Sequence, residues 1–245
     1  PLTSTSQMNY FSHGRDSLDD PRFLAGTALP DWLSAIDRKV RVRSRQAAPF
    51  AESEEADVAA FAKGVMQHHR DDAWFHETAA FNEVTFQLAL EIRELAPNDD
   101  SLRPSFLAHV LLELLLDATL IAPDICQLDT HYAALRSVDP HWIEATVNRM
   151  ASRPTDRLAA GIERFLSIRF LYDYLDDAKL LGRLSGVMMR IGLPTLPASL
   201  LEMLPGARRL VSGHARKSSS WSRSRSNTIR AAGCSSADSW TLFER

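Results

Sequence analysis

The most apolar stretch of the chain, residues 106–122, carries three titratable side chains, His109, Glu113 and Asp117. The residues between them are Val and Leu alone. A membrane-spanning helix needs about 20 apolar residues and excludes charge from its centre. This run is shorter, at 17 residues, and is charged. It reads as a core helix of a soluble protein, apolar nearly all round, with polar groups on one stripe. Burying such groups is costly unless they are paired or hold a metal. Their spacing of four rotates the side chain by about 40° per step, so the three share an arc of about 80°.

A second triplet, His68, Asp72 and His76, repeats the same spacing on another predicted helix. The outer members of a triplet stand about 12 Å apart along the axis, too far for one ion. An i, i+4 pair can share an ion, as helical histidine pairs do in metalloproteases. Two such triplets on packed helices fit a two-metal site, or one metal with a substrate-binding extension. The alternative is a buried hydrogen-bond network, for example His109 with a carboxylate partner. His69 points about 100° away from His68, and Arg70 suits a phosphate or a carboxylate. Nearer the start, His13 follows the short apolar entry Met8-Asn9-Tyr10-Phe11-Ser12, and Asp31 lies between Pro30 and Trp32 after a Leu- and Gly-containing stretch.

Helical signals dominate elsewhere, and the expected fold is all-α: one compact multi-helix domain over residues 8–205. A flexible segment at 1–7 and a disordered Ser/Arg-rich tail at 206–245 flank it. Helices are expected over 54–77 and 79–95, then a loop at Pro97, Asn98, Asp99 and Asp100. The next runs from Pro104 until Pro123 closes it, and another from about His141 to Ser152. Residues 155–191 read as a long helical stretch broken near Gly182 or Gly186, after which Pro194, Pro197 and Pro205 end regular structure. The alternation Lys39-Val40-Arg41-Val42-Arg43 is the best strand candidate. The chain carries net charge −3, but residues 211–245 carry +4, which leaves −7 on the part that holds seven of the eight histidines. That balance argues against a general nucleic-acid binder, and only the basic tail offers a weak contact to an acidic partner or nucleic acid. Two cysteines exclude a disulfide scaffold and a cysteine-rich zinc site. With no basic, apolar leader at the start, the expectation is a cytoplasmic protein with no membrane span.

Met8-Asn9-Tyr10-Phe11-Ser12-His13, the later Gly26 and Asp31, the pattern Gly64-Val65-x-x-His68-x-Arg70-x-Asp72, and then His109 occur in an order that resembles the acyl-carrier-protein phosphodiesterase family, which is distantly HD-domain-like. His131-Tyr132-Ala133-Ala134-Leu135, Tyr174-x-Asp176, Gly186 and Arg190 resemble weaker family features, so the resemblance spans roughly residues 8–192. The chain departs from the family at His76, where Asp is frequent, and at Ala108, where Asp precedes the His; Glu113 and Asp117 are extra. The resemblance implies an all-helical HD-like hydrolase, a divalent metal, typically manganese, and hydrolysis that releases 4′-phosphopantetheine from acyl carrier protein or cleaves a related phosphodiester. The Leu29-Pro30-Asp31-Trp32 stretch with the His68-His69 pair also resembles zinc-dependent phospholipase C-like proteins. A non-catalytic helical binding protein with a buried polar network is the third reading.

Imidazoles and carboxylates suit Mn, Zn or Fe. The expected metal ligands are His13, Asp31, His68, His69, Asp72, His76, His109 and Asp117. Asp31, Asp117 and Glu113 are the expected catalytic carboxylates, acting as ligand, base or orienter of bound water. Arg70 is expected to bind phosphate and Trp32 to line the pocket, with acyl carrier protein or a small phosphodiester as the partner.

Overall fold

The computed structural model describes residues 9–95 and 100–217. The expected flexible segment at 1–7, most of the turn at 97–100 and the tail from 218 onward lie outside the described residues. Among the described residues there are eleven α-helices and no strand, so the expected all-α fold is the one observed.

Local signals account for several helix starts. The Asp20 side chain accepts a hydrogen bond from the Phe23 amide at 3.0 Å, and Pro21 fills the first position of α2 (Pro21–Ile36), where its missing N–H costs nothing. Asp139 with Pro140 starts α8 (Pro140–Met150) in the same way. α6 (Pro104–Ile121) is buried on every face along most of its length. By length and composition it is also apolar enough to cross a membrane, a test that core helices pass equally, and 67% of it is buried inside the protein. Around it pack α1 (Tyr10–Gly14), α5 (Ala79–Leu95) and α11 (Leu200–Lys217).

The closest helix pair is α2 with α4 (Ala56–Glu77). Gly26 and Gly64 make this crossing possible. A Cβ on Gly26 would lie 2.1 Å from the Phe61 carbonyl oxygen, and one on Gly64 would lie 2.1 Å from that of Phe23. The backbones touch where side chains would otherwise stand. Pro30 sits inside α2 and has no amide for the Gly26 carbonyl. In the same turn the Thr27 carbonyl turns to His68 of α4 and accepts a hydrogen bond from its Nδ1 at 2.8 Å.

Three sequence expectations need correction. The stretch 155–191 divides into α9 (Leu158–Ile168), a tight turn of helix at Phe170–Leu175 and α10 (Asp177–Arg190). The break falls at Arg169, which adopts φ 49°, and at Asp176, whose side chain caps α10; Gly182 and Gly186 lie inside that helix. Pro205 does not end regular structure, and the tail does not begin at 206. α11 runs through Pro205 to Lys217 because Leu200, Met203, Leu204, Ala207, Val211 and Ala215 form one buried stripe at helical spacing. That burial outweighs the single backbone bond a proline removes. The Lys39–Arg43 segment is extended but, among the described residues, pairs with no strand; its alternation buries Val40 and Val42 and leaves Lys39 and Arg43 exposed, with Arg41 half-buried and bonded to the Val40 carbonyl at 2.8 Å.

The Gly26–Gly64 crossing predicts a size limit. Overpacking a core contact costs about 1–3 kcal/mol, which is about 3–10 °C in a chain of this size. Gly26→Ala will lower the melting temperature by that amount, whereas Gly182→Ala, with nothing within 4 Å of its added Cβ, will leave it unchanged or raise it. Differential scanning calorimetry of the two variants checks both.

Candidate metal centre

Glu113 and Asp117 project from the middle of α6, each fully buried. The α4 triplet meets the α6 triplet through side chains rather than through close backbone packing, and in opposite order, so that His76 lies beside His109 and Glu113. His109 Nε2 is 2.9 Å, and His76 Nε2 3.3 Å, from the same Glu113 oxygen, Oε1. One ligand atom from each of these three residues lies within 4.8 Å of the others, and the cluster has the donors to hold a metal ion. His76 Nδ1 in turn lies 3.3 Å from Asp72 Oδ1. A carboxylate therefore stands at each nitrogen of this ring. Although burial opposes its charge, Glu113 and Asp72 raise the His76 pKa. Burial pushes the Glu113 carboxyl up, but the hydrogen bonds from His109 and His76 outweigh it and hold the pKa below the usual range.

A second group gathers where α1 crosses α6. Asp117 accepts hydrogen bonds from the backbone amides of Phe11 at 3.0 Å and Ser12 at 2.9 Å. It satisfies amides that the first turn of α1 leaves open. Burial pushes its pKa up to about 7, against the pull of those two amides and of His13. The His13 ring lies 4.2 Å from that of His68; its Nε2 is 3.0 Å from Asn9 Oδ1 and its Nδ1 3.8 Å from Asp71. His68 is fully buried. Because its Nδ1 faces a carbonyl, which only accepts, the proton is assigned there and Nε2 carries a lone pair. That Nε2 has no partner. Burial, with His13 and His69 nearby, drives the His68 pKa well below the histidine range. Asp31 Oδ2 is likewise buried without a partner. Burial and the surrounding carboxylates of Glu113, Asp117 and Asp72 push the Asp31 pKa well above the carboxylate range.

The expected residues thus divide. His76, His109 and Glu113, with Asp72 behind His76, form one group; His13, His68 and Asp117 form another, and Asp31 lies within electrostatic reach of both. Glu113, expected as a catalytic carboxylate, supplies the oxygen that both histidines share. His69 turns away from the group, its Nε2 2.9 Å from the Val42 carbonyl. Arg70 is exposed and bonds Gln67, at 2.7 Å, so the structure does not bring it to the cluster. Trp32 is 1% exposed and packs against Phe165, in the core rather than along a pocket wall. Sequence reasoning missed Asn9 and the Thr27 carbonyl, which only the fold brings to the histidines. The Tyr174 hydroxyl, buried without a hydrogen-bond partner, lies in electrostatic reach of Asp117 and Asp31. A hollow of about 440 Å³ reaches Asp31, Asp72 and His69 from outside. The chain matches no protein-family model, no curated protein and no solved structure.

Behind α1, His131 is fully buried against Phe11 and Tyr132, with neither ring nitrogen hydrogen-bonded. Burial lowers its pKa from 6.5 to about 4. Between those values the unfolded chain binds a proton that the fold does not, so this contribution is complete above pH 6.5 and is lost as pH falls. Asp117 acts with the opposite sign, since its raised pKa favours the fold at low pH. Comparing wild type with His131→Phe isolates the histidine. Between pH 8 and pH 4.5 the wild type will lose about 2.5 kcal/mol more stability than the variant, read from urea unfolding at the two pH values.

Proposed function

We propose that this protein is a metal-dependent phosphodiester hydrolase whose ion is held by His76, His109 and Glu113. The observation that carries the reading is His76: Asp72 stands at Nδ1 while Nε2 converges with His109 Nε2 on one oxygen of Glu113. A carboxylate behind a ligating imidazole is the usual way to fix its tautomer and aim its free nitrogen at an ion. The mixed imidazole and carboxylate donors suit Mn, Zn or Fe, and the family resemblance favours Mn among them. A divalent ion there would lower the pKa of bound water and neutralise phosphate oxygens. Asp31 borders the outer hollow, and burial with the neighbouring carboxylates pushes its pKa well above the usual carboxylate range, which suits it to give a proton to the leaving oxygen. Asp117, committed to the amides of α1, positions His13 and does not act on the substrate.

The resemblance to acyl-carrier-protein phosphodiesterases supports this reading and suggests the 4′-phosphopantetheine linkage of acyl carrier protein as the substrate, in an HD-like protein of the cytoplasm. Gly26 and Gly64, two of the residues on which the resemblance rests, meet at the helix crossing that brings Asp31 and His68 inward. One observation favours a second reading. A protonated His76 donates to both carboxylates and completes a network without any ion, and its raised pKa fits that state. In that reading the protein is a non-catalytic helical binder.

Metal analysis and melting curves separate the two. Protein purified without chelator will retain a transition metal, and Mn at about 100 times its dissociation constant will stabilise it by about 3 kcal/mol, or about 5–10 °C. His109→Ala will abolish that shift and lower hydrolysis of bis-p-nitrophenyl phosphate at least about 100-fold, while far-UV circular dichroism stays helical. Metal-free wild type that gains nothing from Mn or Zn returns the site to a structural network.

A further inference from the structure

Five basic residues, Arg38, Lys39, Arg41, Arg43 and Arg45, lie within eight positions that contain no acid. Like charges this close repel one another unless something negative offsets them. No ion pair among the described residues involves Arg41, Arg43 or Arg45. The backbone beneath them is nevertheless firmly held. Val40 and Val42 are buried, and the Val40 amide donates to the Asp37 carbonyl at 3.0 Å. The Val42 carbonyl accepts from His69 at 2.9 Å, and the Arg43 amide donates to Gln46 Oε1 at 3.0 Å. The fold therefore spends its anchoring contacts on presenting three guanidinium groups, none in an ion pair, from a fixed edge.

All three arginines line the hollow of about 440 Å³ that reaches Asp31 and Asp72. Its size suits a small organic phosphate or one end of a larger ligand. Guanidinium groups grip tetrahedral oxyanions with paired hydrogen bonds. The two carboxylates of the opposite wall are outnumbered by the three arginines, and Asp72 Oδ1 already lies 3.3 Å from His76 Nδ1.

We propose that Arg41, Arg43 and Arg45 form an anion-binding subsite that seats a phosphate group in the hollow between the arginine edge and Asp31 and Asp72. The inference deepens the hydrolase reading and rests on it for the role of the bound phosphate; the binding itself does not depend on that reading. His69, an expected metal ligand, is a positioning residue here, since it pins the Val42 carbonyl. A second basic hollow, of about 650 Å³ and lined by Arg38, Arg153, Arg157 and Arg190, touches none of the titratable cluster. It serves as the internal control.

Isothermal titration of the full-length protein with inorganic phosphate and with phenyl phosphate, at constant ionic strength, tests the proposal. The double variant Arg43→Gln/Arg45→Gln will weaken both ligands at least tenfold, whereas Arg153→Gln/Arg157→Gln will change them less than twofold. Both pairs are exposed, so melting temperatures will match the wild type. Tighter binding of phenyl phosphate than of phosphate marks a phosphate-bearing ligand; equal binding marks the free ion, and both outcomes support the subsite. Wild type that binds neither ligand, an arginine-edge variant that binds like wild type, or a control pair that loses as much affinity overturns it. The Mn-induced melting shift, measured in parallel, will survive in Arg43→Gln/Arg45→Gln. If wild type lacks that shift but binds phosphate, the hydrolase reading fails and the subsite stands.

Discussion

The Asp117 carboxylate, fully buried at the centre of the most apolar helix, holds the amides of Phe11 and Ser12. A charge in that position is tolerable only with partners, and the chain brings its N-terminal helix across the core helix to provide them. That crossing places His13 against His68. His68 in turn hydrogen-bonds the Thr27 carbonyl of α2, so that α1, α2, α4 and α6 meet around one polar interior. One turn toward the N-terminus of α6, Glu113 solves the same problem differently. Its partners are side-chain nitrogens from two helices, and side chains can exchange a proton for an ion where backbone amides cannot.

This difference divides the cluster by task. The Asp117 end is a fastening, since its donors are backbone and its ring neighbour His13 is tied to Asn9. The Glu113 end, with side-chain donors alone, is the one that could hold an ion. Asp31 belongs to neither by hydrogen bonding, and its unpartnered buried oxygen is the kind of unsatisfied group that native proteins keep for a functional reason. The Gly26–Gly64 contact, by letting α2 and α4 touch, sets how close Asp31 comes to the α4 triplet.

Much of this is legible in the sequence, for a physical reason. Side chains at spacing four share a helix face whatever the fold, so His68, Asp72, His76, His109, Glu113 and Asp117 announce two stripes through helical geometry alone. Which stripe end meets which is a tertiary fact and is not legible. Arg70 shows the limit: it lies between stripe residues in sequence yet points to solvent, because adjacent helical positions differ by about 100°. The Lys39–Arg43 alternation correctly signals an extended chain with one buried face, but alternation does not require a strand partner, and the outward arginines carry the consequence. At Pro205 and at Gly182 and Gly186, local breakers are overruled by buried apolar stripes. The positive φ of Arg169 leaves no residue-type signature, so the break there cannot be read from residue types.

The proposed function requires an ion where two histidines and Glu113 converge. Anomalous scattering from a crystal soaked in Mn locates it directly. A metal centre here will give one peak within about 2.0–2.2 Å of Nε2 of His76, Nε2 of His109 and Oε1 of Glu113. Anomalous density elsewhere, or none while His76 stays hydrogen-bonded between Asp72 and Glu113, would contradict it.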